Sequence, residues 1–216
     1  MIKPNDSNIS TFGGCRMIQS KEDYLFYLEA DRIALRQTRQ KPKLLGDDVW
    51  KYQRALRKCE YVSNCKKGLL RKILRALAYY RLRRLILITE LQVPINVCGP
   101  GLSIPHRGML IIDERVKIGE NCRMQNLTHI GTANQRVGCP KIGNNVYIGT
   151  CCSIYGDITI ADGIAIGANS VVNKSFTAPN IGIAGAPAKK INNVGSKNNL
   201  IDATGLVRAS GKFPGK

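Results

Sequence analysis

The chain has 216 residues and carries 33 Lys and Arg against 15 Asp and Glu, a formal net charge of +18. That length suits one domain with an extension, or two small ones. The charge favours polyanionic partners: the phosphates of an acyl-carrier cofactor, an anionic glycan or an anionic membrane surface. The opening MIKPNDSNISTFGG has no apolar core and the helices hold only a short apolar run at 85–89, so neither a secretory signal nor a membrane-spanning helix is expected. No helix-turn-helix, zinc finger or aromatic platform accompanies the basic residues, which argues against nucleic acid. The eight cysteines lack paired metal-ligand spacing, so no metal site is expected and reduced thiols in a cytoplasmic protein are the simpler reading.

In chain order, residues 1–19 are polar and Gly-containing and read as a flexible N-terminus. Residues 20–93 read as an α-helical domain. Ser20 opens SKED, a capping box with Asp in place of Glu, and predicts a helix from Lys21 to about Gln40, with Leu25, Leu28 and Leu35 among its apolar residues. Pro42 and Gly46 end it. A second helix follows Asp47 and Asp48 and runs through Trp50 and Leu56 towards Tyr61. A third follows Gly68 and reaches about Leu91. It sets Leu70, Ile73, Leu74, Leu77, Leu85 and Ile88 against Arg71, Arg75, Arg83 and Arg84. Its expected state is a packed helix with solvated Arg heads, and its alternative is peripheral contact with an anionic membrane or glycan.

Residues 94–192 form a second unit, entered through an irregular stretch rich in Gly and Pro. From Ile112 the sequence repeats in sixes: Ile112, Ile118, Met124, Ile130, then Ile142, Ile148, Ile154, Ile160, Ile166 and Val172 are all aliphatic. A small or β-branched residue recurs four places after most of them, as at Val116, Cys122, Val146 and Cys152. Neither a helix nor an isolated strand sustains a period of six. A chain that turns a corner every six residues and stacks aliphatic corners does, which is a parallel β-helix of hexapeptide repeats. Gly and Asn suit the tight corners, where φ turns positive. Arg136 breaks the aliphatic series, so residues 132–140 are expected to leave the coil as a loop. Residues 193–216 read as a flexible basic tail.

The segments GLSIPHRGMLII, KIGENCRMQNLTHIGT, PKIGNNVYIG, ITIADGIAIGANSVV and IAGAPAKKI resemble the left-handed β-helix acyltransferases, and within them the serine acetyltransferase branch and its relatives in surface-polysaccharide clusters. The resemblance covers about residues 95–192. The fold class it implies is mostly β, a left-handed parallel β-helix with an N-terminal α-helical domain. The activity it implies is transfer of acetyl from acetyl-CoA to a hydroxyl of L-serine or of a surface-glycan sugar, in a homotrimer. The alternatives are N-acyl transfer to an amino-sugar and a non-enzymatic hexapeptide scaffold.

Acyl transfer to a hydroxyl needs a base, and imidazole suits a base at neutral pH. The chain has two histidines. His106, in GLSIPHRGMLII, stands where the resembled enzymes carry their general base. His129, beside the expected loop, is the second catalytic candidate. Two departures bear on the acceptor. Where the serine enzymes place a carboxylate directly before the catalytic His, this chain has Pro105. Where they place a second His before Pro-Lys-Ile, it has Cys139. Asp113 is a nearby carboxylate at an ordinary repeat position. Cys139 as a nucleophile would have only Arg136 beside it to lower its pKa. By the same resemblance Gly149, Ala168, Gly185, Ala186 and Lys189 are the cofactor-binding candidates, with Lys190 near the phosphates. Gly and Ala admit close backbone approach and Lys supplies charge.

Overall fold

A computed structural model describes residues 17–132 and 138–213 of the protein. Three helices come first: α1 (Lys21–Ala34), α2 (Asp48–Cys65) and α3 (Leu69–Thr89). The cap at the start of α1 forms, with the return bond made one residue before Ser20. Ser20 Oγ accepts from the Asp23 amide at 2.9 Å, and Asp23 Oδ2 accepts from the Gln19 amide at 3.0 Å. The helix stops six residues short of the expected Gln40. Arg36 takes a left-handed φ of 58°, its amide bonds to the Ile33 carbonyl and that of Gln37 to the Arg32 carbonyl, a Schellman closure made without glycine. The buried stripe of α1 is Phe26, Tyr27, Ala30, Asp31 and Ala34, while Leu25 is exposed. Ile18, expected in a loose N-terminal segment, is 1% exposed and packs with Phe26, Tyr27, Tyr61 and Val62.

The strands are short: β1 (Leu91–Gln92), β2 (Leu110–Ile112), β3 (Lys117–Ile118), β4 (Arg123–Met124), β5 (Thr128–Gly131), β6 (Lys141–Ile142) and β7 (Tyr147–Ile148). They continue as β8 (Ser153–Tyr155), β9 (Thr159–Ile160), β10 (Ala165–Ile166), β11 (Val171–Val172), β12 (Gly182–Gly185) and β13 (Ala188–Asn192). Three sheets form, in the orders β1-β2-β5-β8-β11, β13-β12-β10-β7-β4 and β3-β6-β9. Among the described residues every strand pairing is parallel except the closing β12-β13 hairpin. The regular coils step by 18 residues, as in Tyr147↔Ala165 and Lys141↔Thr159, and by 24 across the expected loop, as in Lys117↔Lys141, while the first pairing, Leu91↔Leu110, and the last parallel one, Ala165↔Gly182, depart from 18 by one residue each. The loop therefore adds six residues to one coil. Residues 133–137, Arg136 among them, lie outside the described residues.

The period of six is real, but its geometry differs from the expected one. All ten aliphatic residues are buried, yet they lie on the strands, pointing inwards, and not at corners. The corners come three residues later, where Asn121, Leu127, Asn145, Cys151, Gly163 and Asn169 have positive φ. The residue after each of these corners turns inwards again, as Cys122, Thr128, Val146, Cys152, Ile164 and Ser170 do. Two inward residues per six fill a triangular prism. Asn is favoured at such corners because it tolerates the left-handed region, and here Asn121 Nδ2 also donates to Asn145 Oδ1 on the next coil at 3.0 Å.

The helices sit on the open first coil. Tyr52, Ala55, Leu56, Leu82 and Leu85 join one continuous core with Leu91, Val97, Leu102 and the solenoid interior. The segment expected to be a flexible tail is instead folded. Asp202 caps a short helix, α4 (Ala203–Ala209), whose Ala203 and Val207 are buried. Asn121 Nδ2 donates to Thr204 Oγ1 at 2.8 Å, Arg208 pairs with Glu120 at 2.7 Å, and Phe213 meets Phe26 edge-on. Residues 214–216 lie outside the described residues.

Arg57 is 0% exposed and pairs with Asp31 at 2.8 Å and Glu60 at 3.1 Å, both carboxylates being buried as well. Replacing it leaves two buried carboxylates uncompensated. Arg57→Met should therefore cost about 3–5 kcal/mol in urea unfolding, while Lys212→Met, at an exposed pair with Glu29, should stay within about 1 kcal/mol. Equal losses for the two variants would contradict this reading of the buried cluster.

Candidate active site

His106 lies in the loop between Ser103, which bridges to Arg123, and β2. Its side chain is exposed. The loop stands at the head of one edge of the prism, where the β4 sheet turns into the β5 sheet. A column of hydrogen bonds runs down that edge. Asn126 Nδ2 donates to the Arg107 carbonyl at 3.3 Å, Thr150 Oγ1 donates to the Asn126 carbonyl at 3.0 Å, and the Asn169 amide donates to the Thr150 carbonyl at 2.9 Å. Beyond it, the Gly185 amide donates to Ser170 Oγ at 3.2 Å.

The cofactor-binding candidates from the sequence fall along this same edge. Ala168, Gly185 and Ala186 are exposed on it. Gly149 is buried, and its glycine has a structural cause: a Cβ there would stand 2.6 Å from the Ala168 amide nitrogen. Gly185 has φ of 104° and opens the turn into β13. Lys189 and Lys190, both exposed, lie on that last strand opposite Ala184 and Ile183. The edge thus offers an exposed imidazole at one end, a run of small residues, and two cations at the other.

His129 is in a different setting. It is an exposed residue of β5, in register with Ile111 above and Ser153 below. A Cβ on Gly131 would stand 3.5 Å from both His129 Nε2 and Asp113 Cβ, which places these two side chains on either side of that glycine. Beside it lies a cluster the sequence did not reveal. Asp113 pairs with Arg115 at 2.9 Å and also accepts from the Arg115 amide at 2.9 Å. These bonds, with one from the Cys139 thiol, hold its carboxyl well below the usual range. Asp113 and Arg115 are two residues apart, the spacing of an Asx turn, which was the available signal.

Cys139 is buried. Burial, then the Asp113 charge, push its thiol up, and the cation opposing them is Arg115. A raised thiol pKa argues against a nucleophilic role. Cys122 and Cys152 point inwards as expected, and burial pushes Cys122 up to about 12. Among the described residues no cluster of His, Cys, Asp and Glu is arranged to hold a metal ion, and no helix is long and apolar enough to cross a membrane.

Serine acetyltransferase of Staphylococcus xylosus is 38% identical over 96 residues, 43% of this chain and 44% of that protein. Serine acetyltransferase of Helicobacter pylori is 31% identical over 107 residues, 48% of this chain and 62% of that protein. Serine acetyltransferase 2 of Arabidopsis thaliana is 32% identical over 100 residues, 45% of this chain and 31% of that protein. Among solved structures, a serine acetyltransferase in complex with CoA superposes with a TM-score of 0.61 at 22% identity, over 80% of this chain and 72% of that one. The Neisseria gonorrhoeae serine acetyltransferase superposes at 0.59 and 25% identity, over 84% of this chain and 70% of that one. No family model matches the chain.

The chain resembles the serine acetyltransferases in sequence over about half its length and in fold over about four fifths of it. The expected left-handed β-helix with an N-terminal helical domain is borne out by these superpositions. The matched stretches span 25% to 62% of the curated relatives' lengths, so the likeness in sequence is to part of those proteins.

The charges around Cys139 make its reactivity a test of the cluster. Asp113→Asn removes a charge that raises the thiol, so alkylation of Cys139 by iodoacetamide near pH 8, followed by peptide mass spectrometry, should run several-fold faster. Arg115→Met removes the opposing cation and should slow it. A loosened fold would speed both variants, so the opposite signs separate electrostatics from exposure.

Proposed function

We propose that this chain is an acetyl-CoA-dependent O-acetyltransferase of serine acetyltransferase type, with His106 as general base. The observation that carries this is the position of His106, exposed at the head of an edge that continues through Ala168, Gly185 and Ala186 to Lys189 and Lys190. It is supported by the sequence relatives, which are named serine acetyltransferases, and by superposition on one solved with CoA. Exposed small residues leave the edge backbone open to a thin pantetheine arm, and the two lysines offer charge for phosphates.

In this reading neutral His106 takes the proton of the acceptor hydroxyl as its oxygen attacks the thioester carbonyl. The tetrahedral intermediate collapses, the C–S bond breaks and the acetyl ester forms. The imidazolium then returns its proton to the departing thiolate, so no covalent enzyme intermediate is needed. A homotrimer would set a second solenoid against the edge and enclose the cofactor between neighbours. His129, on the adjoining sheet face, would orient the acceptor. We place the reaction in the cytoplasm, where acetyl-CoA and reduced thiols coexist.

L-serine is the acceptor by nearest resemblance. A sugar hydroxyl of a surface glycan is the second reading, and specific observations favour it. Pro105 cannot supply the carboxylate that precedes the base in the serine enzymes. Cys139 replaces their second His, and its thiol is engaged with Asp113.

The test is release of free CoA thiol with L-serine and with a panel of sugars and glycans. His106→Ala should lower turnover by about 10²–10⁴-fold with whichever acceptor is active. His129→Ala should mainly raise the KM for the acceptor. An unchanged rate in His106→Ala would move the base to His129, and an absence of thiol release with every acceptor would leave the scaffold reading.

A further inference from the structure

The third helix is packed as expected on one face, but its apolar residues extend well beyond that face. Leu82, Leu85 and Thr89 are its buried residues, and Leu69, Leu70, Ile73, Leu77, Tyr80, Leu87 and Ile88 are 48% to 75% exposed. At about 100° per residue these seven fall within an arc of roughly 100°, on the side opposite the buried residues. Arg84 lies inside the arc, Arg81 on one flank, and Lys72 and Arg83 on the other. Between Glu60 and Glu90 the chain has eight Lys and Arg and no carboxylate. Arg81 also lines a hollow of about 380 Å³ with Lys41, Arg54, Lys58 and Tyr24, and no acidic residue borders it.

We propose that α3 is a membrane-surface helix that docks the protein on a bilayer rich in anionic lipid. The apolar arc would lie among the upper acyl chains and the flanking cations would meet headgroup phosphates. The helix lies on the surface and does not span it, since none of the described helices is long and apolar enough to cross. Charge selects the lipid surface over pairing of α3 with the same helix of a second copy. The arc does carry the three-and-four spacing of a helix seam at Leu70, Ile73, Leu77, Tyr80, Arg84 and Leu87. However, two such seams would bring Arg81, Arg83 and Arg84 against their own copies, with no acid on either helix to answer them. An anionic surface turns the same cations into attraction. The proposal is independent of the acyl-transfer reading.

The experiment is flotation of the full chain with vesicles, either zwitterionic or carrying about a third anionic phospholipid. Binding to the anionic vesicles should be at least about tenfold stronger and should weaken as salt rises. The double variant Ile73→Glu with Leu77→Glu, at exposed positions that leave the core intact, should abolish it. Lys72→Glu with Arg84→Glu should lower it by about tenfold or more, because each cation near an anionic surface is worth about fivefold and reversal also adds repulsion. Circular dichroism and the sedimentation coefficient should match wild type for both variants. Failure of wild type to float, or equal flotation with zwitterionic vesicles, would overturn the proposal. So would a smaller sedimenting species in Ile73→Glu with Leu77→Glu without any vesicle binding by wild type, which would make the face a contact between copies.

Discussion

A single buried guanidinium joins the two halves of this protein. Arg57 reaches out of α2 to the Asp31 carboxylate on α1 and to Glu60 one turn along its own helix. The same group donates to the Cys98 carbonyl at 2.8 Å and the Gly99 carbonyl at 2.7 Å, on the first coil. Its acid partners bind that coil too: Asp31 accepts from the Leu102 amide and Glu60 from the Asn96 amide, each at 2.9 Å. Burial pushes both carboxyls up, yet Arg57 keeps them paired and its own charge is held firmly on. A cluster of this kind is costly to desolvate and adds little stability in net terms. What it supplies is register. It fixes which backbone groups of an irregular coil face which helix, and a hydrophobic contact cannot do that.

The need for such a device follows from the fold. A β-helix leaves an open edge at each end, with backbone donors and acceptors that the next coil would have satisfied. At the lower end the chain closes the edge by folding β13 back on β12. At the upper end no hexapeptide pattern exists, and side chains of the helices do the work. Gln53 Nε2 donates to the Leu102 carbonyl and its Oε1 accepts from the Ile104 amide, while Tyr52 accepts from the Val93 amide. The C-terminal segment straps the outside of the joint, tying Asn121 and Glu120 of the second coil to α4 and bringing Phe213 to α1. Helical cap, first coil and C-terminal strap are one structural unit, although they come from three parts of the sequence.

This explains why the repeat was legible and its surroundings were not. In the solenoid each structural demand is local and recurs every six residues, so Ile142, Ile148 and Ile154 announce their own burial. Even there, Leu127 and Cys151 adopt the left-handed corner without glycine or asparagine, because stacking imposes the turn whatever the residue. The capping demands are non-local. Nothing near Asp31 or Gln53 says that its partner is some fifty to seventy residues away, and Asp202 looks like one more polar tail residue until Asn121 is beside it. Apolar content misled in α3 for a related reason. A sequence shows that Leu70, Ile73 and Leu77 share a face, but whether that face meets the core depends on the width of the neighbouring elements. Only the part of α3 from Leu82 onwards has buried residues.

The candidate site divides along the same line. The small residues of the edge, Gly149 and Ala168 among them, belong to the regular coils, and Gly185 to the hairpin that closes them, so their spacing is fixed by stacking. His106 belongs to the irregular one. It follows Ile104 by two residues, and Ile104 is pinned to α2 through Gln53. Its height above the edge is therefore set by the helical cap as well as by the repeat. Under the proposed reaction, the rigid part of the molecule would hold the acyl donor and the cap would hold the base. Changes in the helices could then retune what the base can reach without disturbing the donor edge. Pro105 stiffens this loop directly before His106. A loop held by proline on one side and by the Arg107 carbonyl bonded to Asn126 on the other has a restrained backbone, and under the proposed reaction the base would act from it without an adjacent carboxylate.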